Sequence, residues 1–304
     1  MDAKIVSKKI MQTDRIIFCA FGYTITTLFG LLCVLPFVLV FINSFTTETS
    51  LMRHGYSFFI REFSAQAYTM AFRSPQRIIW AYRNTVMATV IGTTVAVLVS
   101  TMTGYVLQRK DFPQRNFFSL FFFFTMLFNG GLVPTYILCT RYLGFRNSYA
   151  ALVVPLMFSV WNMIIAKNYI KSVPYEITES AKVDGANDML IFFWLVLPLC
   201  KPLIATLGLF SALAYWNDWF NTLLYISKEE KMSLQYFLQE MLNSITALKN
   251  LVAMGATVDL TLVNLPQETL KMSMTMITTG PIILLYPFVQ RYFVKGLTIG
   301  AVKG

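Results

Sequence analysis

Long intervals without any charged residue are the feature that most limits how this chain can fold. They lie between Arg15 and Glu48, Arg83 and Arg109, Arg115 and Arg141, Arg146 and Lys167, and Lys271 and Arg291. A further apolar stretch runs from Leu195 to Trp216, with Lys201 near one end. A helix rises about 1.5 Å per residue, so roughly 20 apolar residues cross a bilayer. The sequence therefore predicts an all-α polytopic membrane protein with six transmembrane helices.

The composition excludes an ordinary soluble protein. Hydrophobic residues make up 56% of the chain and charged residues only 13%, whereas soluble domains average about 25% charged residues. In a soluble protein the net charge of +10 would indicate nucleic acid as a partner. In a membrane protein, basic residues instead set the topology and contact anionic lipid. We therefore expect contact with membrane lipid and no binding of nucleic acid.

The distribution of lysine and arginine predicts the orientation. The short segments on one side of the predicted spans contain Lys4, Lys8, Lys9, Arg15, Arg109, Lys110, Arg115, Lys167, Lys171, Lys182, Arg291, Lys295 and Lys303. The opposite side carries its basic residues in longer segments. Because basic residues in short loops stay in the cytosol, both termini are predicted to be cytosolic. Four spans then return the chain to the cytosol just before Glu179.

Metal, disulfide and redox chemistry have little support. The cysteines Cys19, Cys33, Cys139 and Cys200 lie in or at the edges of predicted spans without paired spacing, as small buried hydrophobes do. His54 is the only histidine. The first apolar run is too long for a signal-peptide core, so we expect it to stay as a span. No catalytic residue, metal site or cofactor bound by this chain is predicted.

One segment, between Glu179 and Pro202, carries the strongest functional signal and reads ESAKVDGANDMLIFFWLVLPLCKP. Pro174 favours the start of a short helix, and the carboxylates of Glu176 and Glu179 favour its positive end. Gly185 can adopt the left-handed conformation that ends such a helix. A second helix is then expected to lead to the Leu197-Pro198 step.

This segment resembles the EAA loop, the coupling motif of the membrane-spanning subunits of ABC importers. The matching residues are Glu179, Ala181, Asp184, Gly185, Ala186, Leu197 and Pro198, and Ser180 stands where the family prefers alanine. The final residues, VQRYFVKGLTIGAVKG, are similar to the tail of MalG-like permeases of carbohydrate importers. The chain is therefore identified as a member of that permease family, which implies the fold of a type I ABC importer permease.

The resemblance also implies roles for particular residues. By this resemblance, the residues expected to contact an ATPase are Glu179, Ser180, Ala181, Asp184, Gly185 and Ala186. The C-terminal tail is expected to reach between two ATPase subunits and to contact them through Lys295, Gly296, Gly300, Lys303 and Gly304. A frayed basic terminus is the alternative for the tail.

The same resemblance implies the partners. They are a second homologous permease, two cytosolic ATPase subunits and an extracytoplasmic solute-binding protein. The chain contains no G-x-x-x-x-G-K-[ST] stretch, which is the usual cradle for nucleotide phosphates. ATP and Mg²⁺ are therefore expected on the partner ATPase, and this chain is not expected to be an enzyme.

Two features could line a solute path. Asn129, Gly130 and Gly131, followed by Pro134, interrupt the third predicted span, and broken spans often mark transport pathways. A packing kink explains the same residues equally well. Asn162 is the other uncharged polar residue placed deep in a predicted span. In the second span Gly92 and Gly104 are expected to let helices pack closely.

The predicted outer side contains several aromatic and polar segments. Trp216, Asn217, Asp218 and Trp219 could face the binding protein or form an aromatic belt at the membrane surface. Within an outer arm spanning residues 43–83, Thr46–Tyr56 is predicted to be irregular and Phe63–Tyr82 to be an interfacial helix or a partner contact. A second outer segment covers residues 227–270.

These predictions divide the chain into a cytosolic segment (1–15), a six-span domain (16–294) with a coupling loop at 167–194, and a cytosolic tail (295–304). The expected function is import of a sugar or oligosaccharide across the bacterial cell membrane. Import of another solute by the same mechanism is the first alternative. An ion-coupled secondary transporter is the second, although such proteins usually carry charges inside their spans.

Overall fold

The computed structural model describes residues 2–73, 75–254 and 266–283 of this 304-residue chain. Two compact units divide it, one formed by Met1–Arg73 with Leu248–Ile277 and the other by Ser74–Ala247 with the residues from Thr278 onward. The described residues are mostly helical, and the one β-bridge among them joins Thr46 to Phe63. The predicted all-α fold class is therefore confirmed for this part of the chain.

The helices follow one another with short connections. In chain order they are α1 (Asp2–Asn43), α2 (Glu48–His54), α3 (Gln66–Ala71), α4 (Pro75–Gln108), α5 (Arg115–Leu127), α6 (Leu132–Ile137), α7 (Ala150–Val153), α8 (Val160–Ile170), α9 (Tyr175–Val183), α10 (Asp188–Leu190), α11 (Leu197–Leu199), α12 (Lys201–Trp216), α13 (Phe220–Tyr225), α14 (Leu234–Ala253) and α15 (267–283). Wide π turns continue α6 through Leu138–Tyr142 and join α10 to α11 through Ile191–Val196.

In the first unit, the prediction that Thr46–Tyr56 is irregular is wrong, because helix α2 lies within it. Thr47 caps this helix: its Oγ1 accepts the backbone N–H of Ser50 at 3.2 Å. The Glu48 carboxylate favours the positive end of α2. That carboxylate also accepts the backbone N–H and the hydroxyl of Thr269, both at 3.0 Å. Local capping thus gives a polar segment a helical structure.

The predicted helix Phe63–Tyr82 is also wrong as a single element. Helix α3 ends at Ala71, and a new helix, α4, begins at Pro75 and runs without interruption to Gln108. Proline suits the first position of a helix because its missing N–H would have no intrahelical partner there. Tyr82 therefore belongs to the same long helix as the predicted second span.

Helix α4 is the centre of the second unit and packs against α8 and α12. A Cβ atom added to Gly104 would lie 2.8 Å from the Cβ of Ala166 in α8, and one added to Gly92 would overlap the ring of Tyr215 in α12. Both glycines permit a close approach of helices, as membrane interfaces with small residues do. The predicted packing role of these two residues is confirmed.

Two described helices, Asp14–Asn43 and Pro75–Gln108, are long and apolar enough to cross a membrane. Three helix pairs would bring the number to five if each is one bent span: Arg115–Leu127 with Leu132–Tyr142 (110°), Ala150–Leu156 with Val160–Ile170 (52°), and Asp188–Leu199 with Lys201–Trp216 (85°). The sixth predicted interval, between Lys271 and Arg291, is described only as far as residue 283, and α15 covers that part. The predicted break after Asn129 is confirmed, with Gly131 at φ +91°.

Candidate coupling site

Helix α9 begins and ends where its sequence predicts. Pro174 stands directly before it in an extended conformation (φ −55°, ψ 129°), and Glu176 lies in its first turn. Thr178 and Ala181 are the buried residues of the helix. Since they are three residues apart, they lie on the same face, and the opposite face remains exposed.

The turn after α9 is a Schellman motif. The N–H of Gly185 bonds to the carbonyl of Lys182 at 3.0 Å, and the N–H of Ala186 bonds to that of Ala181 at 2.9 Å. This 5→2 and 6→1 pattern satisfies the last carbonyls of a helix and requires a left-handed residue. Gly185 supplies it at φ +83°. The predicted conformation of Gly185 is therefore confirmed.

The side chains that protrude from this turn are exposed. Val183 is 87% exposed, and Glu179, Ser180, Asp184 and Gly185 are exposed as well. Single exposed apolar side chains are common on protein surfaces, so the exposure of Val183 does not by itself assign a partner. The second half of helix α9 and the turn after it therefore form a small exposed surface. We call this surface the knob (residues 179–185).

Behind the knob, a hydrophobic core anchors both of its ends. Ala181 on one side and Ile191, Phe192 and Val196 on the other belong to one buried cluster, with Ala186 packed against it. The side-chain oxygen of Asn187 accepts the N–H of Leu190 at 2.8 Å and so caps the next helical turn. The knob is consequently fixed at both ends rather than carried on a loose loop.

Four charged residues fasten the knob to the end of α4, and we call this group the clamp: Arg109, Asp111, Lys182 and Asp188. Arg109 bonds to both carboxylate oxygens of Asp111, at 2.5 and 2.8 Å, and its Nη1 lies 2.7 Å from Asp188 Oδ1. Lys182 Nζ contacts Asp111 Oδ2 at 2.7 Å. The clamp therefore holds α9 through Lys182 and the start of α10 through Asp188.

The electrostatics of the clamp favour its charged form. Hydrogen bonds from Arg109 and then Lys182 hold the pKa of the Asp111 carboxyl well below its usual range. The hydrogen bond to Asp111 raises the pKa of both Arg109 and Lys182. The Arg109 side chain is only 16% exposed, and its guanidinium lies 5.8 Å from the ring centre of Tyr105. A partly buried fork that binds two carboxylates is the strong type of ion pair.

The chain matches a known protein family over most of its length. Residues 116–299, more than half of the chain, match the family described as binding-protein-dependent transport system inner membrane component. The chain belongs to this family. The matched region contains α9, the knob and two members of the clamp, Lys182 and Asp188.

Individual relatives of this permease cover almost the whole chain. The polygalacturonan/rhamnogalacturonan transport system permease protein YtcP of Bacillus subtilis is 37% identical, over 93% of this chain and 96% of its own. Protein LplC of the same organism is 36% identical, over 90% and 91%. The crystal structure of a bacterial ABC transporter involved in the import of the acidic polysaccharide alginate contains a chain with a TM-score of 0.75 and 26% identity. The match covers 92% of this permease and 98% of that chain.

The residues predicted to line a solute path lie in two different environments in the permease. Asn129 is exposed, as are Gly130 and Gly131, and the Oδ1 atom of Asn129 accepts the N–H of Gly131 at 2.9 Å. Asn162 is only 7% exposed. Its Nδ2 donates to Ser211 Oγ at 3.3 Å, which joins α8 to α12. Asn162 therefore has a packing partner, whereas Asn129 is exposed and bonds within its own turn.

The residues predicted on the binding-protein side also differ among themselves. Trp216 is buried, and its Nε1 donates to the carbonyl of Thr278 at 3.2 Å. Asp218 receives the backbone and side-chain N–H groups of Asn221, while burial raises the pKa of its carboxyl. Asn217 is exposed and Trp219 is 41% exposed. Only these last two present a large part of their surface to a partner.

The permease tail from Lys295 to Gly304 lies outside the described residues. No sequence pattern marks Arg109, Asp111 or Asp188 as site residues. Arg109 contributes to the predictions only as a topology signal. The feature of the sequence that could have indicated an ion pair is Asp111 itself, an acidic residue beside Arg109 and Lys110 in a short basic connection.

Proposed function

We propose that this permease belongs to an ATP-driven importer of oligosaccharides and that the knob transmits movement from an ATPase to the transmembrane helices. The observation that carries the proposal is the knob itself, an exposed helix end fixed from behind by a Schellman turn, a hydrophobic cluster and the clamp. A surface that transmits the movement of one subunit to another must be rigid in this way. The proposed ATPase-coupling residues are Glu179, Ser180, Ala181, Asp184 and Gly185 of the knob, together with Ala186 directly after it.

The names of the relatives support a carbohydrate as the solute. One relative is named for polygalacturonan and rhamnogalacturonan, and two are named for arabinooligosaccharides. The related solved transporter imports alginate. An oligosaccharide is therefore the proposed solute. A glycerol phosphate is the alternative, because a permease of 29% identity over 66% of this chain is named for sn-glycerol-3-phosphate.

The proposed assembly contains this chain, a second homologous permease, two cytosolic ATPase subunits and an extracytoplasmic binding protein. Six spans place both termini and the knob in the cytosol of a bacterial cell. ATP and Mg²⁺ bind to the ATPase subunits, whose closure moves the knob. Coupling then requires that the spans fit the open and closed ATPase with different free energies. The tail (Lys295, Gly296, Gly300, Lys303, Gly304) is proposed to contact the same subunits.

The proposed solute path includes Asn129, Gly130 and Gly131, where the third predicted span is broken. A break exposes backbone groups that a polar solute or water can satisfy. On the opposite side, Asn217 and Trp219 are the proposed contacts with the binding protein, and Trp216 and Asp218 support them from within. An amide beside an exposed indole ring offers hydrogen bonds and an apolar face to a partner.

The experiment is uptake into proteoliposomes that contain the full complex with its ATPase and binding protein. Labelled galacturonan and arabinan oligosaccharides and glycerol 3-phosphate are compared as solutes. The proposal requires uptake of an oligosaccharide that depends on both ATP and the binding protein. Uptake that continues without ATP and collapses with an ion gradient would instead indicate a secondary transporter.

A further inference from the structure

A cavity of about 680 Å³ lies beside the N-terminal part of α9. Its wall includes the end of α4, the start of α5, the end of α8 and the residues that lead into α9. Four basic side chains line it: Lys110, Arg115, Lys167 and Lys171. The cavity thus lies where α4 and α8 end and α5 begins, next to the polar ends of these apolar helices.

These four basic residues lack the carboxylate partners that the clamp has. Lys167 Nζ donates to Ser119 Oγ at 2.8 Å, and Arg115 Nη1 donates to the carbonyl of Arg109 at 3.2 Å. Lys110 Nζ lies 5.5 Å from the ring centre of Tyr175. Within the described residues, none of the four forms an ion pair with a carboxylate, and Glu176 is the one acidic residue in the wall.

The contrast with the clamp is informative because the two groups are neighbours. In the clamp two cations pair with two carboxylates, whereas the wall of the cavity contains four cations and one carboxylate, that of Glu176. Like charges at short range repel one another, most strongly where water is limited. An anion in the cavity would relieve this repulsion, and lysine and arginine each have further N–H groups to donate to it.

The surface next to the cavity indicates what kind of anion this is. Helix α5 starts at Arg115 and has no buried residue. Phe117 is 66% exposed, Leu120 67% and Phe124 55%. An anionic group attached to apolar chains would fit both features, with its charge in the cavity and its chains along α5. Basic pockets between transmembrane helices bind phospholipid headgroups in this way.

We propose that this cavity binds the phosphate of an anionic phospholipid, held by Arg115 and Lys171 with Lys110 and Lys167 beside them. Arginine and lysine are the usual donors to phosphate oxygens. Tyr175, Glu176 and Thr178 of α9 line the same cavity. A bound lipid therefore supports the beginning of α9, while the clamp holds its end through Lys182.

The test uses the complex purified in detergent, stripped of lipid and then incubated with phosphatidylglycerol or phosphatidylcholine. Native mass spectrometry measures the lipid retained by the parent, by the double variant Lys110→Gln/Lys171→Gln, and by Arg15→Gln/Lys201→Gln. The last variant is a matched control, because it removes two cations that do not line the cavity. Each cation near an anionic lipid contributes about 1 kcal/mol, so two correspond to a roughly 30-fold change in affinity.

We expect phosphatidylglycerol to bind more tightly than phosphatidylcholine to the parent and the control, and to bind about 30-fold more weakly to the cavity variant. Equal retention of the two lipids, or by the two variants, would overturn the proposal. Displacement of phosphatidylglycerol by millimolar inorganic phosphate would assign the cavity to a soluble anion. Loss of ATPase subunits from the cavity variant, with lipid binding unchanged, would assign it to an acidic segment of the ATPase.

Discussion

Arg109 and Asp188 form an ion pair of 2.7 Å between Nη1 and Oδ1, and this contact connects the end of α4 to the residue that begins α10. The same guanidinium binds both oxygens of Asp111. One side chain thus satisfies two carboxylates, and only a planar fork with several donors can do so. The knob is fastened to α4 by a contact that lysine cannot reproduce.

Replacing Arg109 with lysine should therefore lower the amount of solute transported per ATP hydrolysed by several-fold. Lysine keeps the positive charge that sets the topology, so the membrane insertion of the variant should not change. The measurement is uptake and ATP hydrolysis on the same proteoliposomes. Arg141→Lys serves as the control, because Arg141 is exposed and lies outside the clamp. Normal coupling in Arg109→Lys would show that the clamp is only a surface contact.

The conformation of Gly185 leads to a second prediction. A Cβ atom at this position would have no neighbour within 4 Å, so any cost of substitution comes from the backbone at φ +83° alone. Gly185→Val should lose about 1 kcal/mol or more through left-handed strain and misdirect the knob. Gly185→Asn is the matched control, since asparagine tolerates this region. Co-purification of the ATPase and solute uptake would be measured for both variants.

The outcome that contradicts this prediction is simple. If Gly185→Val transports as well as Gly185→Asn, then the left-handed turn does not matter for coupling. If both fail equally, the loss comes from the added side chain and its effect on the partner. Only a defect confined to the β-branched residue supports the conformational argument.

The charged state of Asp111 gives a prediction of pH dependence. Because its pKa is lowered in the folded protein, its contribution is complete above the unfolded value of about 3.9. The contribution is lost as the pH falls below that value toward the folded pKa. The melting temperature of the parent should therefore exceed that of Asp111→Asn by a constant amount between pH 5 and pH 7. The difference should shrink below about pH 4. A difference that disappears already near pH 6 would contradict the assignment.

Local features of the site could be predicted from the sequence, and the long-range contacts could not. The turn at Gly185 and the break at Gly131 depend on residues that are neighbours in the chain, and glycine marks both. The clamp joins Arg109 to Asp188 across five intervening helices, α5 to α9, and no spacing rule relates the two residues. In the sequence, the charge of Arg109 enters only the topology prediction, and its pairing with Asp111 and Asp188 becomes visible only in the structure.

The errors in the predicted helices have similar physical causes. Helix α2 was missed because its residues are polar, although Thr47 followed by Glu48 is a favourable helix start. The bends near Ser159 and Cys200 were also missed. Proline gave the available signal at both places, since Pro155 precedes one bend and Pro198 and Pro202 flank the other. Hydropathy locates an apolar segment but does not show whether its helix is straight.

The contact between α4 and α8 leads to a fourth prediction. In Gly104→Ala the new Cβ would lie 2.8 Å from both Ala166 Cβ and the backbone nitrogen of Lys167. The helices must therefore separate, at a cost of about 1–3 kcal/mol. Gly208→Ala in α12 is the matched control, because nothing lies within 4 Å of its Cβ position. Thermal unfolding in detergent should show a lower melting temperature only for Gly104→Ala. Equal melting temperatures would mean that α4 and α8 are not closely packed.

The solute path provides the last prediction, which separates the packing role of the buried Asn162 from the proposed solute contact of the exposed Asn129. Asn162 bonds to Ser211 between two helices, so Asn162→Leu leaves a buried hydroxyl without this partner and should cost about 1–3 kcal/mol. Its uptake per folded complex should remain near that of the parent. Asn129 is exposed, and in the described part of the chain its side chain bonds within its own turn. Asn129→Leu should therefore lower uptake and leave the melting temperature nearly unchanged.

Both quantities must be measured on the same preparations, because a loss of folded protein would imitate a loss of transport. Asn129→Gln is a useful companion variant, since it keeps an amide that can bond to a solute. Recovery of uptake in Asn129→Gln would support direct contact with the solute. If Asn129→Leu instead transports normally, the break at Gly131 is a packing kink. If Asn162→Leu loses transport without losing stability, the path passes between α8 and α12.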